Sequence, residues 1–127
     1  MKKTLCLASL LSFTALACPA NPARLFNGQA PAHPALQPVC DATARAAMKS
    51  LQTVQKATWA EVYRFVPELG GPAALNQALA AAKYTLTGTY PKGPGAEIRT
   101  FVSTGVLRPM NVFLKRTGAT TFLYVYQ

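Results

Sequence analysis

The sequence predicts an α+β domain in which two N-terminal helical segments, at about residues 41–66 and 72–83, pack on a C-terminal antiparallel sheet. About four strands are expected for this sheet, within residues 84–126. Apolar residues recur every three or four positions before Lys83 and alternate with polar residues after it, which indicates helices followed by strands. Short segments rich in Gly and Pro separate the later runs, as hairpin connections do. Because the helices precede the strands, the pattern favours α+β over an alternating α/β fold.

The first seventeen residues predict an export signal. Lys2 and Lys3 precede an uncharged apolar stretch over residues 5–16, and residues 15–17 (Ala-Leu-Ala) supply the small side chains of a signal-peptidase site. The stretch is shorter than the roughly 20 apolar residues of a membrane-spanning helix. We therefore expect residues 1–17 to be removed and the protein to act in a cell envelope or beyond it.

Cys18 follows this signal directly. Residues 14–18 (Thr-Ala-Leu-Ala-Cys) resemble the lipobox of bacterial lipoproteins, although Ala15 stands where that family favours Leu. The resemblance implies lipid attachment at Cys18 and anchoring to a membrane. The alternative is a periplasmic or secreted protein with a disulfide between Cys18 and Cys40, the two thiols that remain after cleavage. A lipid thioether and a disulfide need the same sulfur, so lipidation would leave Cys40 unpaired.

Residues 18–39 predict a proline-rich tether, which gives a signal at 1–17, a tether at 18–39 and one domain at 40–127. Proline removes backbone donors and keeps a chain extended, and His33 within the segment is expected to be solvated. The segment holds half of the ten prolines of the chain: Pro19, Pro22, Pro31, Pro34 and Pro38.

The helical segments each have a recognisable start. Asp41 is a predicted N-cap of the first helix. Residues 58–61 (Thr-Trp-Ala-Glu) match a capping box, which predicts that a further helical stretch begins there and ends before Pro67. Pro72 suits the first turn of the alanine-rich segment 72–83.

The strand residues separate by alternation into two sets. The aliphatic set is expected to pack on the helices: Ile98, Thr100, Val102, Val112, Leu114, Leu123 and Val125. The second set combines aromatic and charged side chains: Glu97, Arg99, Phe101, Asn111, Phe113, Lys115, Phe122, Tyr124 and Tyr126. Alternation defines the two sets but does not determine which of them faces the helices.

The second set, extended by the neighbouring Arg116, predicts a candidate binding face. Aromatic rings beside cations are typical of a platform on which bases or sugars stack. Two alternatives stay open: an interface with a protein partner or a second copy, and aromatic pairs that only stabilise the sheet. The candidate residues are Arg99, Phe101, Phe113, Lys115, Arg116, Phe122, Tyr124 and Tyr126.

Two segments resemble small envelope proteins of the nuclear transport factor 2 superfamily. Residues 57–68 resemble their short second helix, and residues 110–126 resemble their final hairpin without its common Trp. Cystatin-like folds are similar too. The resemblance implies an architecture and, with it, a small-molecule or enzymatic pocket between the helices and the sheet. It does not transfer any active-site residue to this chain. The expected lining residues of such a pocket are Trp59, Tyr63, Tyr84 and Tyr90.

The residue types of the domain argue against catalysis. Residues 40–127 contain no His, a single Asp and three Glu, so the sequence offers neither a metal ligand set nor a hydrolase triad. We therefore predict no metal, no cofactor and no enzymatic activity.

Charge indicates the class of partner. Without the signal, the chain has eleven Lys and Arg against four Asp and Glu, a net charge of +7. Such a surplus favours anionic partners. The sequence thus predicts an exported, lipid-anchored, non-catalytic envelope protein that binds a protein or an anionic polymer. The alternatives are the pocket protein above and a secreted module that binds nucleic acid or glycan.

Overall fold

The computed structural model describes Cys18, Asn21 and residues 23–127, so the predicted signal at 1–17 lies outside the described residues. The helices are α1 (Ala42–Val54) and α2 (Gly71–Ala81), the latter preceded by a 3-10 turn at Pro67–Leu69. The strands are β1 (Arg24–Leu25), β2 (Ala30–Pro31), β3 (Leu36–Pro38), β4 (Ala60–Phe65), β5 (Thr85–Pro91), β6 (Ala96–Val102), β7 (Met110–Thr117) and β8 (Thr120–Tyr126).

Six strands form one antiparallel sheet in the order β3-β4-β8-β7-β6-β5, and β1 pairs with β2 in a separate hairpin. The predicted fold class is therefore wrong. The described chain has eight strands in two sheets and only two helices, whereas the sequence predicted helices packed on about four strands.

The main error concerns residues 60–65, which were expected to continue a helix and instead form β4 inside the sheet. Both faces of this strand are covered, since Tyr63 and Phe65 are buried on one side and Val62 on the other. A strand covered on both faces lacks a clean alternation of apolar and polar residues, so periodicity alone does not separate residues 60–65 from a helix. Thr58 caps nothing here, because its hydroxyl donates to the carbonyl oxygen of Gln127 at 3.0 Å.

The predicted tether is also corrected, because its described part is packed into the domain. Leu25, Phe26 and Leu36 are at most 3% exposed, and Leu36 pairs with Phe65 across the sheet edge. The prolines do not prevent this packing. Pro31 lies in the two-residue strand β2 and Pro38 in the edge strand β3, where the missing backbone N–H of a proline costs little stability. His33, which was expected to be solvated, is half-buried, and its Nε2 lies 3.1 Å from Gln77 Oε1.

We call the sheet face that carries Tyr63, Val112 and Leu123 the core face. The buried side of α2 and the β1–β2 hairpin join these residues in one hydrophobic cluster. Phe26 packs edge-on against Tyr63, with ring centroids 5.6 Å apart. The Tyr63 hydroxyl accepts a hydrogen bond from the Phe26 amide at 2.9 Å and donates to the buried Glu61 carboxylate. Burial raises the pKa of Tyr63, and the negative charge of Glu61 raises it further.

The opposite face, here called the outer face, is only partly covered. Helix α1 lies against β4 and β8, and its predicted N-cap is confirmed, since Asp41 accepts from the Ala44 amide at 2.8 Å. Ala44 is the one fully buried residue of α1. Among the described residues, neither α1 nor α2 therefore covers the outer face of β5, β6 and most of β7. Within the described part of the chain, neither helix is long and apolar enough to cross a membrane.

Candidate functional site

The strand register divides the predicted binding face between the two sides of the sheet. Ile98 pairs with Phe113 and Arg99 with Val112, so β6 has the phase opposite to that expected. The outer face carries Phe113, Lys115, Phe122, Tyr124 and Tyr126, whereas Arg99, Phe101 and Arg116 lie on the core face. Ile98, Thr100 and Val102, expected on the aliphatic side, lie on the outer face.

An aromatic row crosses the outer face at right angles to the strands. We define it as Tyr90, Ile98, Phe113 and Tyr124, which are successive cross-strand partners on β5, β6, β7 and β8. Strands lie about 4.8 Å apart, so the row is roughly 14 Å long. The Phe113 and Tyr124 rings are 5.7 Å apart with their planes tilted by 34°.

Burial along the aromatic row increases toward α1. Tyr90 at the sheet edge is 53% exposed, Ile98, Phe113 and Tyr124 are half-buried, and the next partner, Val62, is 2% exposed. The sequence predicted Tyr90 as a pocket-lining residue and not as part of the binding face, and alternation grouped Ile98 with the residues of the opposite face. The row therefore offers an apolar surface to solvent at one end and joins the protein interior at the other.

A basic row runs parallel to the aromatic row, two residues further along each strand. We define it as Lys115, Phe122 and Arg64, again successive cross-strand partners. Both cations are exposed, and Arg64 Nη2 donates to Gln37 Oε1 at 2.6 Å. The spacing of two strand residues separates the rows by about 7 Å, which a lysine side chain can span.

Grooves lie where α1 meets these rows. One groove of about 280 Å³ separates Ala47, Ser50 and Leu51 of α1 from Phe113, Lys115 and Tyr124 of the sheet. A second, of about 350 Å³, continues toward the N-terminus of α1 and shares Lys115 and Tyr124 with the first. Burial raises the pKa of Tyr124, and the nearby Asp41 charge adds to the rise.

Tyr126, the remaining predicted residue of the outer face, contributes little accessible surface. It is 9% exposed and pairs with Asn111, whose side-chain oxygen accepts from the Thr100 hydroxyl at 2.9 Å. The polar side chains beside Tyr126, Thr100 and Asn111, thus satisfy part of each other's hydrogen bonding. The aromatic and basic rows are therefore the parts of the outer face best placed to meet a ligand.

The residues expected to line a small-molecule pocket do not converge on one cavity. Tyr63 is fully buried in the core, and Tyr90 lies on the outer face. Trp59 Nε1 donates to Gln127 Oε1 at 3.1 Å, and the Tyr84 hydroxyl accepts from Gln127 Nε2 at 2.9 Å. Trp59 and Tyr84 therefore act in a structural polar cluster around Gln127.

Cys18 and Cys40 form a disulfide, with their Cα atoms 5.8 Å apart. This is the arrangement that the sequence left open as the alternative to lipidation. The bond links the segment before the β1–β2 hairpin to the residue preceding the N-cap of α1. While it is formed, the Cys18 sulfur has no valence left for a lipid.

No group of three or more His, Cys, Asp or Glu side chains within the described residues is arranged to hold a metal ion. No family model, no curated protein and no solved structure matches this chain. The resemblance to the nuclear transport factor 2 superfamily stays a prediction.

Proposed function

We propose that this chain is an exported, disulfide-bonded binding domain that holds an anionic polymer on its outer face. The observation that carries the proposal is the parallel course of the aromatic and basic rows. Phe113 lies next to Tyr124 in one row, and Lys115 lies two residues from Phe113 in the other. Rings of a polymer would stack on the first row while its charged groups meet the second.

The energetics of such a surface favour this class of ligand. Stacking of one base on an aromatic side chain contributes about 1–3 kcal/mol, and it tolerates different rings because each has a π-face. Contacts between Lys or Arg and fixed anions release counterions, which adds affinity at low salt. The strand acids Glu61 and Glu97 both lie on the core face, so the negative charge near Tyr124 comes from Asp41 at the N-terminus of α1 and not from the strands.

The basic and then apolar character of residues 1–17 supports export, and the disulfide, which occupies the Cys18 sulfur, favours a protein without a lipid anchor. The disulfide supports an oxidising compartment, where such bonds persist. The ligand is accordingly expected among polymers met outside the cytoplasm, such as acidic glycans or released nucleic acid.

A second candidate function is pairing with another protein chain through β5. This strand forms one edge of the six-stranded sheet, and it exposes Leu86 at 48% and Tyr90 at 53%. Exposed edge strands offer unpaired backbone groups to a further strand. Association of two copies through β5 would extend the sheet and cover the outer end of the aromatic row.

The test is a titration of the chain with a labelled single-stranded oligonucleotide and a labelled acidic glycan at two ionic strengths. The proposal predicts binding at low salt that weakens steeply as salt is added. Absence of binding to both polymers at low salt would refute it. Sedimentation of the chain alone tests the second candidate, which predicts a concentration-dependent dimer.

A further inference from the structure

A third groove lies on the core face, on the other side of the sheet from the aromatic and basic rows. It has a volume of about 390 Å³ and lies between the β5–β6 turn and the start of α2. We call it the arginine groove. The residues that matter for its chemistry are Phe65, Glu97, Arg99, Leu114 and Arg116.

Arg99 is held in the groove by its neighbour on the same strand. Its Nε donates to Glu97 Oε2 at 2.5 Å, and the two side chains are 24% and 34% exposed. This contact uses one edge of the guanidinium. The two terminal nitrogens of Arg99 have no partner among the residues that the structure describes, and their fork matches a carboxylate or phosphate.

Arg116 supplies the second guanidinium of the arginine groove. Its backbone amide donates to the Gly95 carbonyl oxygen at 2.8 Å, which fixes Arg116 beside the β5–β6 turn. Gly95 has a φ of +69°, and a Cβ there would lie 3.6 Å from the Arg116 Cβ, so the turn passes close to this side chain. The exposed Arg116 side chain has no hydrogen-bond or ion-pair partner in the described part of the chain.

The floor and the charge of the groove define its ligand. Phe65 and Leu114 are 6% and 7% exposed, so they present a small apolar surface at the bottom. Two guanidinium groups face one carboxylate, which leaves a net charge of +1. Pro72 in the first turn of α2 also lines the groove, and the positive end of the helix dipole adds to this charge.

We propose that the arginine groove binds a small molecule that carries a carboxylate or phosphate on an apolar body. The oxyanion accepts hydrogen bonds from Arg116 and from the terminal nitrogens of Arg99, and the apolar body covers Phe65 and Leu114. Glu97 acts as a positioning residue, because it holds Arg99 through Nε. This site goes beyond the proposed polymer binding and uses none of its residues.

The proposal is tested by three separate titrations of the full chain, with phenyl phosphate, phenylacetate and inorganic phosphate. Amide NMR spectra recorded during each titration detect binding. We expect phenyl phosphate or phenylacetate to shift the amides of Gly93, Gly95 and Ala96 and to bind more tightly than inorganic phosphate. Comparison of the two aromatic probes distinguishes a phosphate from a carboxylate ligand. Unmoved amides at millimolar concentrations of both aromatic probes would overturn the proposal, and equal affinity for inorganic phosphate would overturn the role of the apolar floor.

Variants locate the site. Arg116→Gln is expected to weaken binding about tenfold, as the loss of a charge-assisted hydrogen bond does. Arg99→Lys keeps the charge and removes the fork, and it should weaken binding severalfold. The control is Lys49→Gln on α1, which removes one positive charge from the opposite side of the sheet. Equal weakening by Lys49→Gln and Arg116→Gln would overturn the proposal in favour of a general charge effect. Amide spectra of the free variants verify that each is folded.

Discussion

Ile98 of β6 lies directly opposite Phe113 of β7. This pairing fixes the phase of β6, because cross-strand partners point to the same face of a sheet. It continues the aromatic row from Phe113 to Tyr90 at the sheet edge, and it turns Arg99 and Phe101 toward the core face. One register thus determines both proposed sites.

The first prediction concerns Gly88, over which the Tyr90 side chain lies. A Cβ at Gly88 would come within 2.5 Å of the Tyr90 hydroxyl oxygen. Because that oxygen is the far end of an exposed side chain, Gly88→Ala should displace the ring and change stability by less than about 1 kcal/mol. Polymer binding should weaken, as it should in Tyr90→Ala. Urea denaturation and the oligonucleotide titration measure the two effects.

A matched control for this prediction is Thr89→Ala, which alters the exposed core-face side of the same strand. It should leave binding unchanged. If Tyr90→Ala and Gly88→Ala both bind as tightly as the unaltered chain, Tyr90 does not belong to the binding surface.

The second prediction concerns the buried hydroxyl of Tyr63. Tyr63→Phe leaves the Phe26 amide and the Glu61 carboxylate without one hydrogen bond each. We expect a loss of about 1–3 kcal/mol in the free energy of unfolding, measured in urea at neutral pH. A loss below about 0.5 kcal/mol would show that other groups replace the hydroxyl.

Tyr63 also predicts a pH dependence of stability. Burial, and then Glu61, raises the pKa of Tyr63 above its ordinary value of 10.0, so the folded state keeps a proton that the unfolded state loses. The stabilisation is complete below pH 10 and declines as the pH rises further. Burial also raises the pKa values of Tyr124 and Tyr126, so these residues contribute to the same loss of stability above pH 10. Tyr63→Phe should therefore make this loss smaller without abolishing it. An identical decline in both proteins would contradict the assignment.

The third prediction concerns the disulfide between Cys18 and Cys40. The intact mature protein should gain two hydrogen atoms on reduction and carry no acyl mass, which mass spectrometry of the native and reduced forms determines. Since the cross-link joins residues 22 apart, its loss should lower the free energy of unfolding by about 3 kcal/mol. Cys40→Ser and Cys18→Ser should be equally destabilised and insensitive to reductant. An acylated Cys18 would contradict the disulfide form of the protein.

The sequence allowed several elements to be predicted because their signals are local. Asp41 caps α1 as expected, the segment after Pro72 is helical, and residues 110–126 form the expected hairpin with a tight turn between β7 and β8. A tight turn fixes the register of its two strands. The outer-face grouping of Phe113, Lys115 and Tyr124 follows from it.

The remaining features depend on long-range packing. Residues 103–109 connect β6 to β7 without fixing their relative phase, so alternation placed Arg99 on the same face as Phe113. Residues 60–65 were predicted to be helical because Thr58 and Glu61 imitate a capping box, and because strand β4, covered on both faces, lacks the alternation of a half-buried strand. Leu36 joins the core through its pairing with Phe65, a contact that the proline content around it does not reveal.

The salt dependence of oligonucleotide binding tests the central claim most directly, because it separates the basic row from the net charge of the chain. Lys115→Gln should reduce the slope of log K against log salt by about 0.7, the value for one contact with a single strand. Tyr124→Ala should weaken binding by about 1–3 kcal/mol and leave that slope unchanged. Lys83→Gln, which removes an equal charge beyond α2, should change neither quantity. Equal slopes for Lys115→Gln and Lys83→Gln, or no binding at low salt, would contradict the account.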